Sequence, residues 1–204
     1  MIIGMSGIAG SGKDSTANII IKKYPNWVKV SFAKAMKDAA AAMFGFPREL
    51  LEGDTLESRE WREQKSEYWS EKLGQEVTPR NILQILGTGL VRKHLHENFW
   101  VDRLELEIKQ LTESGKNVII TDVRFPNEAE MIRSLGGKIW HVFCGETPKW
   151  FVDYRDSDIV PANIHESEWK WAKTIPDVIV HPEYKSLELL EEIVTDTYEK
   201  HMNI

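Results

Sequence analysis

A glycine-rich segment near the amino terminus has the composition of a phosphate-binding loop. Gly7-Ile8-Ala9-Gly10-Ser11-Gly12-Lys13 fits the spacing G-x-x-x-x-G-K. Glycines let successive backbone N–H groups turn toward phosphate oxygens, and a helix that begins here adds its positive end. The lysine of such a loop reaches the terminal phosphates of a nucleotide. We therefore predict a nucleotide-phosphate site formed by Gly10, Ser11, Gly12, Lys13, Asp14 and Ser15.

Asp14 occupies the position where such loops usually carry Ser or Thr. A carboxylate in the first turn of a helix is favoured by the helix dipole, and it could bind Mg²⁺ directly or through water. Asp14 could also be only an N-terminal helix residue with no metal. Both interpretations stay open from the sequence.

A second acidic residue, Asp122, follows the apolar run Asn117 to Thr121. An acid at the carboxyl end of a parallel strand is well placed to hold Mg²⁺ or its water, because open α/β sheets bind ligands at that edge. Arg124 lies two residues later and could neutralise charge on a transferred phosphoryl group. The alternative is a surface turn in which Asp122 caps the next helix.

A helix is predicted from Thr78 to Lys93, with Thr78 as N-cap and Pro79 in the first turn. At about 100° per residue, four polar side chains fall within roughly one third of its circumference. They are Arg80, Gln84, Thr88 and Arg92. Arginine binds phosphate with paired hydrogen bonds, and glutamine can read the polar edge of a base. A solvent-exposed polar face is the alternative.

Short Val- and Ile-rich runs alternate with helical patterns, which predicts an α/β fold. Because the runs are apolar at nearly every position, we expect a mostly parallel five-stranded sheet with helices on both sides. The predicted strands are 1–5, 27–32, 117–121, 138–143 and 177–180. The predicted helices are 15–24, 34–44, 78–93, 100–114, 127–135 and 186–202. We expect one domain over residues 1–204, a helical insertion at about 47–76, and an irregular segment at about 145–175.

Composition narrows the function classes. The chain has 204 residues and a net charge of −6, which argues against a general nucleic-acid coat. The single cysteine, Cys144, excludes internal disulfides, zinc ribbons, iron–sulfur clusters and redox dithiols built within one chain. The histidines have no metal-binding spacing, and His165 is the one considered as a functional candidate. Without a signal peptide or an apolar stretch of membrane length, we expect a cytoplasmic protein with no membrane partner.

Several motifs together resemble the phage-type deoxynucleoside monophosphate kinases. The motifs are Phe32-Ala33-Lys34 with Lys37, Thr78-Pro79-Arg80, Leu83-Gln84, Leu86-Gly87-Thr88, Arg92, Phe99-Trp100-Val101, the string from Thr121 to Glu128, and His165-Glu166-Ser167-Glu168. The resemblance covers most of the chain. The Lys13-Asp14 pair is also similar to phosphomevalonate kinases.

The resemblance implies a P-loop kinase that moves the γ-phosphoryl group of ATP to a deoxynucleotide, with Mg²⁺ and with small-molecule nucleotides rather than nucleic acid as partners. Lys13, Arg92 and Arg124 would be catalytic, and 145–175 would form a mobile lid. The acceptor would be bound by Phe32, Lys34, Lys37, Arg80, Gln84, Thr88, Trp100, His165 and Glu166. Cys144 departs from the family, which tends to carry an arginine near this strand end, so a lid arginine that contacts ATP is either missing or supplied by Arg155. Members often form dimers, and the resemblance allows a homodimer.

Two other functions stay open. One is a P-loop kinase for another phosphorylated metabolite, of the phosphomevalonate type. The other is a regulatory protein that binds ATP without transferring its phosphate. The acceptor-side arginines favour a kinase over a binding protein. A phage-encoded chain would act in the host cytoplasm.

Overall fold

The computed structural model describes residues 1–182 and 186–202. Its strands are β1 (Ile2–Ser6), β2 (Trp27–Val30), β3 (Asn117–Ile120), β4 (Lys138–Val142) and β5 (Val178–Val180). Its α-helices are α1 (Lys13–Lys23), α2 (Ala33–Phe44), α3 (Leu56–Glu63), α4 (Glu67–Leu73), α5 (Pro79–Gln84), α6 (Phe99–Glu113), α7 (Pro126–Ser134), α8 (Lys149–Ser157) and α9 (Leu187–Met202). A π-helix spans Ile85–Leu95, and 3-10 helices span Glu49–Leu51, Glu166–Glu168 and Lys170–Lys173.

The strands form one parallel sheet in the order β2-β3-β1-β4-β5. Every residue of β1 is buried, as expected for a strand covered on both faces. β1 lies between β3 and β4, so the loop after β1 and the residues after β3 leave the sheet at the same edge. The backbone N–H of Val123 donates to the Met5 carbonyl at 3.1 Å, which keeps these two chain segments together. This edge is where parallel α/β sheets bind ligands.

The chain divides into two compact units. The first contains Met1–Ser31 and the described residues from Glu105 onward, and the second is Phe32–Leu104. In the first unit, α1 and α9 cover the sheet, and Ile20, Trp140, Val194 and Tyr198 pack into one buried core. The second unit is helical, and Phe46, Leu51, Ile82 and Leu86 belong to its own core.

The predicted α/β class and parallel sheet are confirmed, and the predicted strand boundaries lie within about two residues of those observed. The region predicted as a helical insertion does form helices, α3 and α4. The irregular structure predicted for 145–175 is wrong in part, because α8 and two 3-10 helices lie there. Aromatic packing orders this segment: Phe151 and Trp171 are each 2% exposed and pack against Phe143. Such contacts between distant residues leave no periodic pattern in the sequence.

The helix predicted at 78–93 exists, but its second half is not α-helical. Beyond Gln84 it becomes the π-helix, whose last turn closes with the His96 N–H on the Val91 carbonyl at 3.1 Å. A π-helix bonds residues five apart. The rotation of about 100° per residue therefore does not apply beyond Gln84. It does not place Thr88 and Arg92 on the same helix face as Arg80.

Candidate active site

The loop after β1 is built from glycines that no other residue replaces without strain. Gly7, Gly10 and Gly12 have φ values of 154°, 76° and 92°. A Cβ on Gly7 would lie 2.2 Å from the Val142 carbonyl oxygen and 2.7 Å from Ser11 Oγ. The Ser11 N–H closes the turn on the Ile8 carbonyl at 3.2 Å. The glycine spacing thus produces a tight loop whose backbone leads directly into α1.

Lys13, the first residue of α1, folds back over this loop. Its ammonium donates to the Gly7 carbonyl at 2.9 Å and the Ile8 carbonyl at 2.8 Å, and it lies 3.4 Å from Ser11 Oγ. Burial, followed by the nearby Arg124 guanidinium, lowers the pKa of Lys13 from 10.5 to about 8. A phosphate anion at this position would supply the negative charge that the carbonyl dipoles supply only in part.

The neighbouring carboxylate of Asp14 is exposed, and it forms an ion pair with Lys29 on β2 at 3.4 Å. Ser15, also predicted to bind ATP, is half-buried in the first turn of α1. Gly10 is exposed and Ser11 is buried. All the predicted phosphate-loop residues therefore lie at one end of α1.

The edge residue Asp122 is half-buried after β3 and accepts a hydrogen bond from Ser31 Oγ at 2.8 Å. Ser31 follows β2, the strand beside β3, so two oxygen-bearing side chains meet where neighbouring strands end. Hydroxyl, carboxylate and water oxygens are the ligands that Mg²⁺ prefers. The donor set at Asp122 and Ser31 therefore fits this ion. Sequence reasoning missed Ser31, whose signal is a hydroxyl residue at the end of a strand.

Arg124 is held at both its backbone and its side chain. Its N–H donates to Glu128 Oε2 at 2.7 Å, and its Nη1 donates to Glu168 Oε1 at 2.5 Å and to the Ser167 carbonyl at 3.4 Å. Burial alone lowers the pKa of Arg124, but the Glu168 carboxylate reverses that effect, so the pKa is raised overall. The guanidinium stays charged.

Glu128 is a second residue that sequence reasoning left out of the site. Only 2% of it is exposed, and its carboxylate accepts the backbone N–H groups of Arg124 and Phe125. The signal for it is a glutamate in the third position of a helix that begins with Pro126, the pattern of a capping box. Glu128 fixes the turn on which Arg124 lies.

The segment predicted as a lid contains three of the predicted site residues. His165 Nδ1 accepts the Ser167 N–H at 3.3 Å and caps the 3-10 helix that follows. Glu166 forms an ion pair with Lys170. Arg155 is exposed and holds its neighbour Asp156 through Nε at 2.6 Å and Nη2 at 2.9 Å. Each of these polar side chains has a local partner, and an ATP contact of Arg155 stays a prediction.

The predicted acceptor cations of the second unit form ion pairs or hydrogen bonds within that unit. Lys37 pairs with Glu52 at 2.6 Å, Arg80 pairs with Glu63 at 2.9 Å, and Arg92 Nη1 donates to a backbone carbonyl at 3.4 Å. The Arg80–Glu63 pair is exposed, so exchange of Glu63 for another anion would cost little, whereas the Lys37 side chain is only 13% exposed.

The other predicted acceptor residues of this unit differ in exposure. Lys34 is exposed, and Gln84 and Thr88 are half-buried. Phe32 and Trp100 are 6% and 7% exposed, and the Trp100 indole N–H donates to the Gly87 carbonyl at 3.1 Å. Both aromatic residues are therefore buried, and their contact with an acceptor stays a prediction.

Comparison with known proteins identifies the family. The family model for deoxynucleotide monophosphate kinases matches residues 49–168, more than half of the chain. The chain belongs to this family. It is 33% identical over 146 residues to a protein of Acanthamoeba polyphaga mimivirus whose name assigns it to the deoxynucleotide monophosphate kinases, an alignment that covers 67% of this chain and 70% of the relative. It is 29% identical over 181 residues to the deoxynucleoside-5′-monophosphate kinase of Escherichia phage T5, covering 65% of this chain and 72% of the relative.

The fold of this kinase family member also resembles a solved structure of low sequence identity. The dephospho-CoA kinase of Campylobacter jejuni is 14% identical, with a TM-score of 0.52 over 99% of this chain and 98% of that one. The predicted resemblance, fold class and phosphotransferase class are therefore confirmed. Within residues 1–182 and 186–202, no helix combines the length and apolarity needed to cross a membrane.

Proposed function

We propose that the protein transfers the γ-phosphoryl group of ATP to the 5′-phosphate of a deoxynucleoside monophosphate, producing the diphosphate and ADP. The observation that carries the proposal is the glycine loop with Lys13 folded over it, in a chain that belongs to the deoxynucleotide monophosphate kinase family. A loop of this kind binds the phosphates of a nucleoside triphosphate.

The donor half of the reaction is assigned to the first unit. Backbone N–H groups at Gly10, Ser11 and Gly12 bind the β- and γ-phosphates. To do so, the Ser11 N–H exchanges its bond to the Ile8 carbonyl, and Lys13 its bonds to the loop carbonyls, for bonds to phosphate oxygens. Ser15 and Arg155 are further ATP contacts in this proposal. Arg124 neutralises the charge of the migrating phosphoryl group.

A bound Mg²⁺ would neutralise phosphate charge and help to orient the reacting oxygens. Asp122 would hold it, because its carboxylate and the Ser31 hydroxyl form an oxygen donor set after adjacent strands. Asp14 is the second proposed ligand, directly or through water. Its carboxylate must then release Lys29, and its 69% exposure makes that exchange inexpensive.

The acceptor half is assigned mainly to the second unit. Arg80 and Arg92 bind the acceptor phosphate, and Lys34 and Lys37 add positive charge. Gln84, Thr88, Phe32 and Trp100 contact the nucleoside, and His165 and Glu166 contact it from the lid. The nucleophile is a phosphate oxygen that is already an anion, so no catalytic base is required.

A coupled ADP-release assay tests this proposal. The protein is offered ATP and Mg²⁺ with each deoxynucleoside monophosphate, each ribonucleotide counterpart and phosphomevalonate in turn. We expect ADP release that depends on one or more deoxynucleotides and is lost in Lys13→Ala. Release with phosphomevalonate alone would instead identify a metabolite kinase, and ATP binding without release would identify a regulatory protein.

Three expectations complete the proposal. The chain acts as one kinase domain over residues 1–204, with a mobile lid at about 145–175. Its partners are small-molecule nucleotides in the cytoplasm, that of the host where a phage encodes it. The resemblance also allows a homodimer, for which light scattering of the purified protein would give twice the 23.6 kDa chain mass.

A further inference from the structure

The guanidinium of Arg124 uses only part of its hydrogen-bonding capacity. Nη1 donates to both Glu168 Oε1 and the Ser167 carbonyl. Across residues 1–182 and 186–202, Nε and Nη2 have no hydrogen-bond acceptor. Arginine binds a phosphate through two parallel N–H groups. Arg124 therefore has one nitrogen held by the protein and an adjacent pair available for an anion.

Two hydrogen bonds hold the backbone at Glu168 in place. Its N–H donates to the His165 carbonyl at 2.9 Å, and its own carbonyl accepts the Trp171 indole N–H at 2.8 Å. Trp171 is 2% exposed and packs in the aromatic cluster with Phe143. The Glu168 side chain is thus attached to a backbone that the aromatic cluster anchors in this conformation.

The opposite end of the pair is equally constrained. The buried Glu128 fixes the Arg124 backbone through an N–H bond of 2.7 Å. Both backbones are anchored, and a hydrogen bond of 2.5 Å joins their charged side chains. Together these contacts determine where the guanidinium lies. An exposed ion pair between two mobile side chains does not have this property.

The local charges give Glu168 a further role. Arg124 and Lys13 are both cations at the phosphate loop, and their mutual repulsion disfavours holding the two together before an anion arrives. The Glu168 carboxylate interacts favourably with both of them. It therefore balances part of the positive charge in the free protein and keeps Arg124 near the loop.

We propose that Glu168 is a positioning residue for phosphoryl transfer, holding Arg124 by Nη1 so that Nε and Nη2 face the phosphoryl group as a pair. This inference rests on the proposed kinase activity. Glu168 itself does not contact the reacting atoms. Its effect is on the geometry of Arg124, and displacement of a catalytic group by about 1 Å can cost about 100-fold in rate.

The test compares Glu168→Gln with Glu105→Gln. Glu105 is a matched control because it also forms a short carboxylate–cation pair, with Lys109 at 2.6 Å, and its side chain is similarly exposed, at 30% against 26% for Glu168. We expect Glu168→Gln to lower kcat by about 10- to 100-fold, with the acceptor KM changed less than about two-fold. We expect Glu105→Gln to leave both constants unchanged.

A double-mutant cycle with Arg124→Ala identifies the route of the effect. In the Arg124→Ala background, Glu168→Gln should change kcat by less than about two-fold, because the group that it positions is absent. The inference is overturned if Glu168→Gln matches Glu105→Gln, or if its loss of kcat persists without Arg124. Absence of activity in the unaltered protein would instead refute the proposed function.

Glu168→Asp serves as a second variant in case Glu168→Gln does not fold. It keeps the negative charge but shortens the side chain by one methylene group, so it draws the guanidinium away from its position. We expect a kcat loss of about 10-fold with a melting temperature close to that of the unaltered protein. An unchanged kcat in this variant would overturn the inference.

Discussion

ATP binding should draw a proton from solvent onto Lys13. In the free protein, burial and the neighbouring Arg124 lower the pKa of Lys13 to about 8, so the ammonium is partly deprotonated near that pH. Bound phosphates place negative charge beside the amine, which favours the protonated form and returns the pKa toward its ordinary value. Binding is then linked to protonation.

The expected stoichiometry follows from the pKa of about 8 in the free protein. If the bound amine is fully protonated, uptake on binding is ~0.1 proton at about pH 7, ~0.5 at about pH 8 and ~0.9 at about pH 9. Affinity should fall up to about 10-fold per pH unit above about pH 8, because the free protein must first gain a proton. The phosphates of ATP do not titrate in this range, since a terminal phosphate has a pKa of about 6.

Isothermal titration calorimetry with ATP and Mg²⁺, without acceptor, measures this uptake. Titrations at each pH in buffers of different ionisation enthalpy give the number of protons directly. Lys13→Arg is the control, because a guanidinium stays charged throughout this range and should show no uptake. Uptake below ~0.2 proton at about pH 9, or equal uptake in both proteins, would refute the assignment of Lys13 as the titrating phosphate ligand.

Three further predictions concern the loop, the acceptor and the core. Lys13→Ala should lower kcat by about 1000-fold or more, whereas Arg80→Ala should mainly raise the acceptor KM, and steady-state kinetics with both substrates varied separates the two. Gly7→Ala should reduce the free energy of unfolding by ~3 kcal/mol and prevent ATP binding, because its Cβ would meet a backbone oxygen. Gly10→Ala, where a Cβ has open space, should reduce the free energy of unfolding by only ~1 kcal/mol. Urea denaturation of both variants measures the difference. Burial and then a nearby arginine lower the pKa of His141 from 6.5 to about 4. Its contribution to stability is therefore present above about pH 6.5 and is lost as pH falls to about 4, by roughly 3 kcal/mol, and the difference in pH dependence between the unaltered protein and His141→Phe measures it.

The phosphate loop could be predicted from the sequence because its residues are adjacent in the chain. The spacing from Gly7 to Lys13 requires only local turn geometry and a helix start. The sheet could be predicted for a similar reason, since strands buried on both faces are apolar at nearly every position. Thr78 and Pro79 likewise identified the start of α5 from local capping chemistry.

The conformation beyond Gln84 could not be predicted in the same way. Gly87 lies against Met36 of α2, where an added Cβ would be 2.7 Å from the sulfur, and such close packing depends on a neighbouring helix. The apolar spacing within one helix therefore does not predict that this segment forms a π-helix. The helix α8 could not be predicted for a similar reason, because it packs on an aromatic cluster whose residues come from separate elements.

The sequence alone determined the family, the reaction class and the glycine loop that leads into Lys13, because these depend on residue type and local spacing. Tertiary structure alone decided which polar and charged side chains meet. Ser31 reaches Asp122 because their strands are neighbours in the sheet, and Glu168 reaches Arg124 because buried aromatic side chains hold its segment in place. Those contacts join residues 91 and 44 positions apart, and no local pattern encodes a distance of that length along the chain.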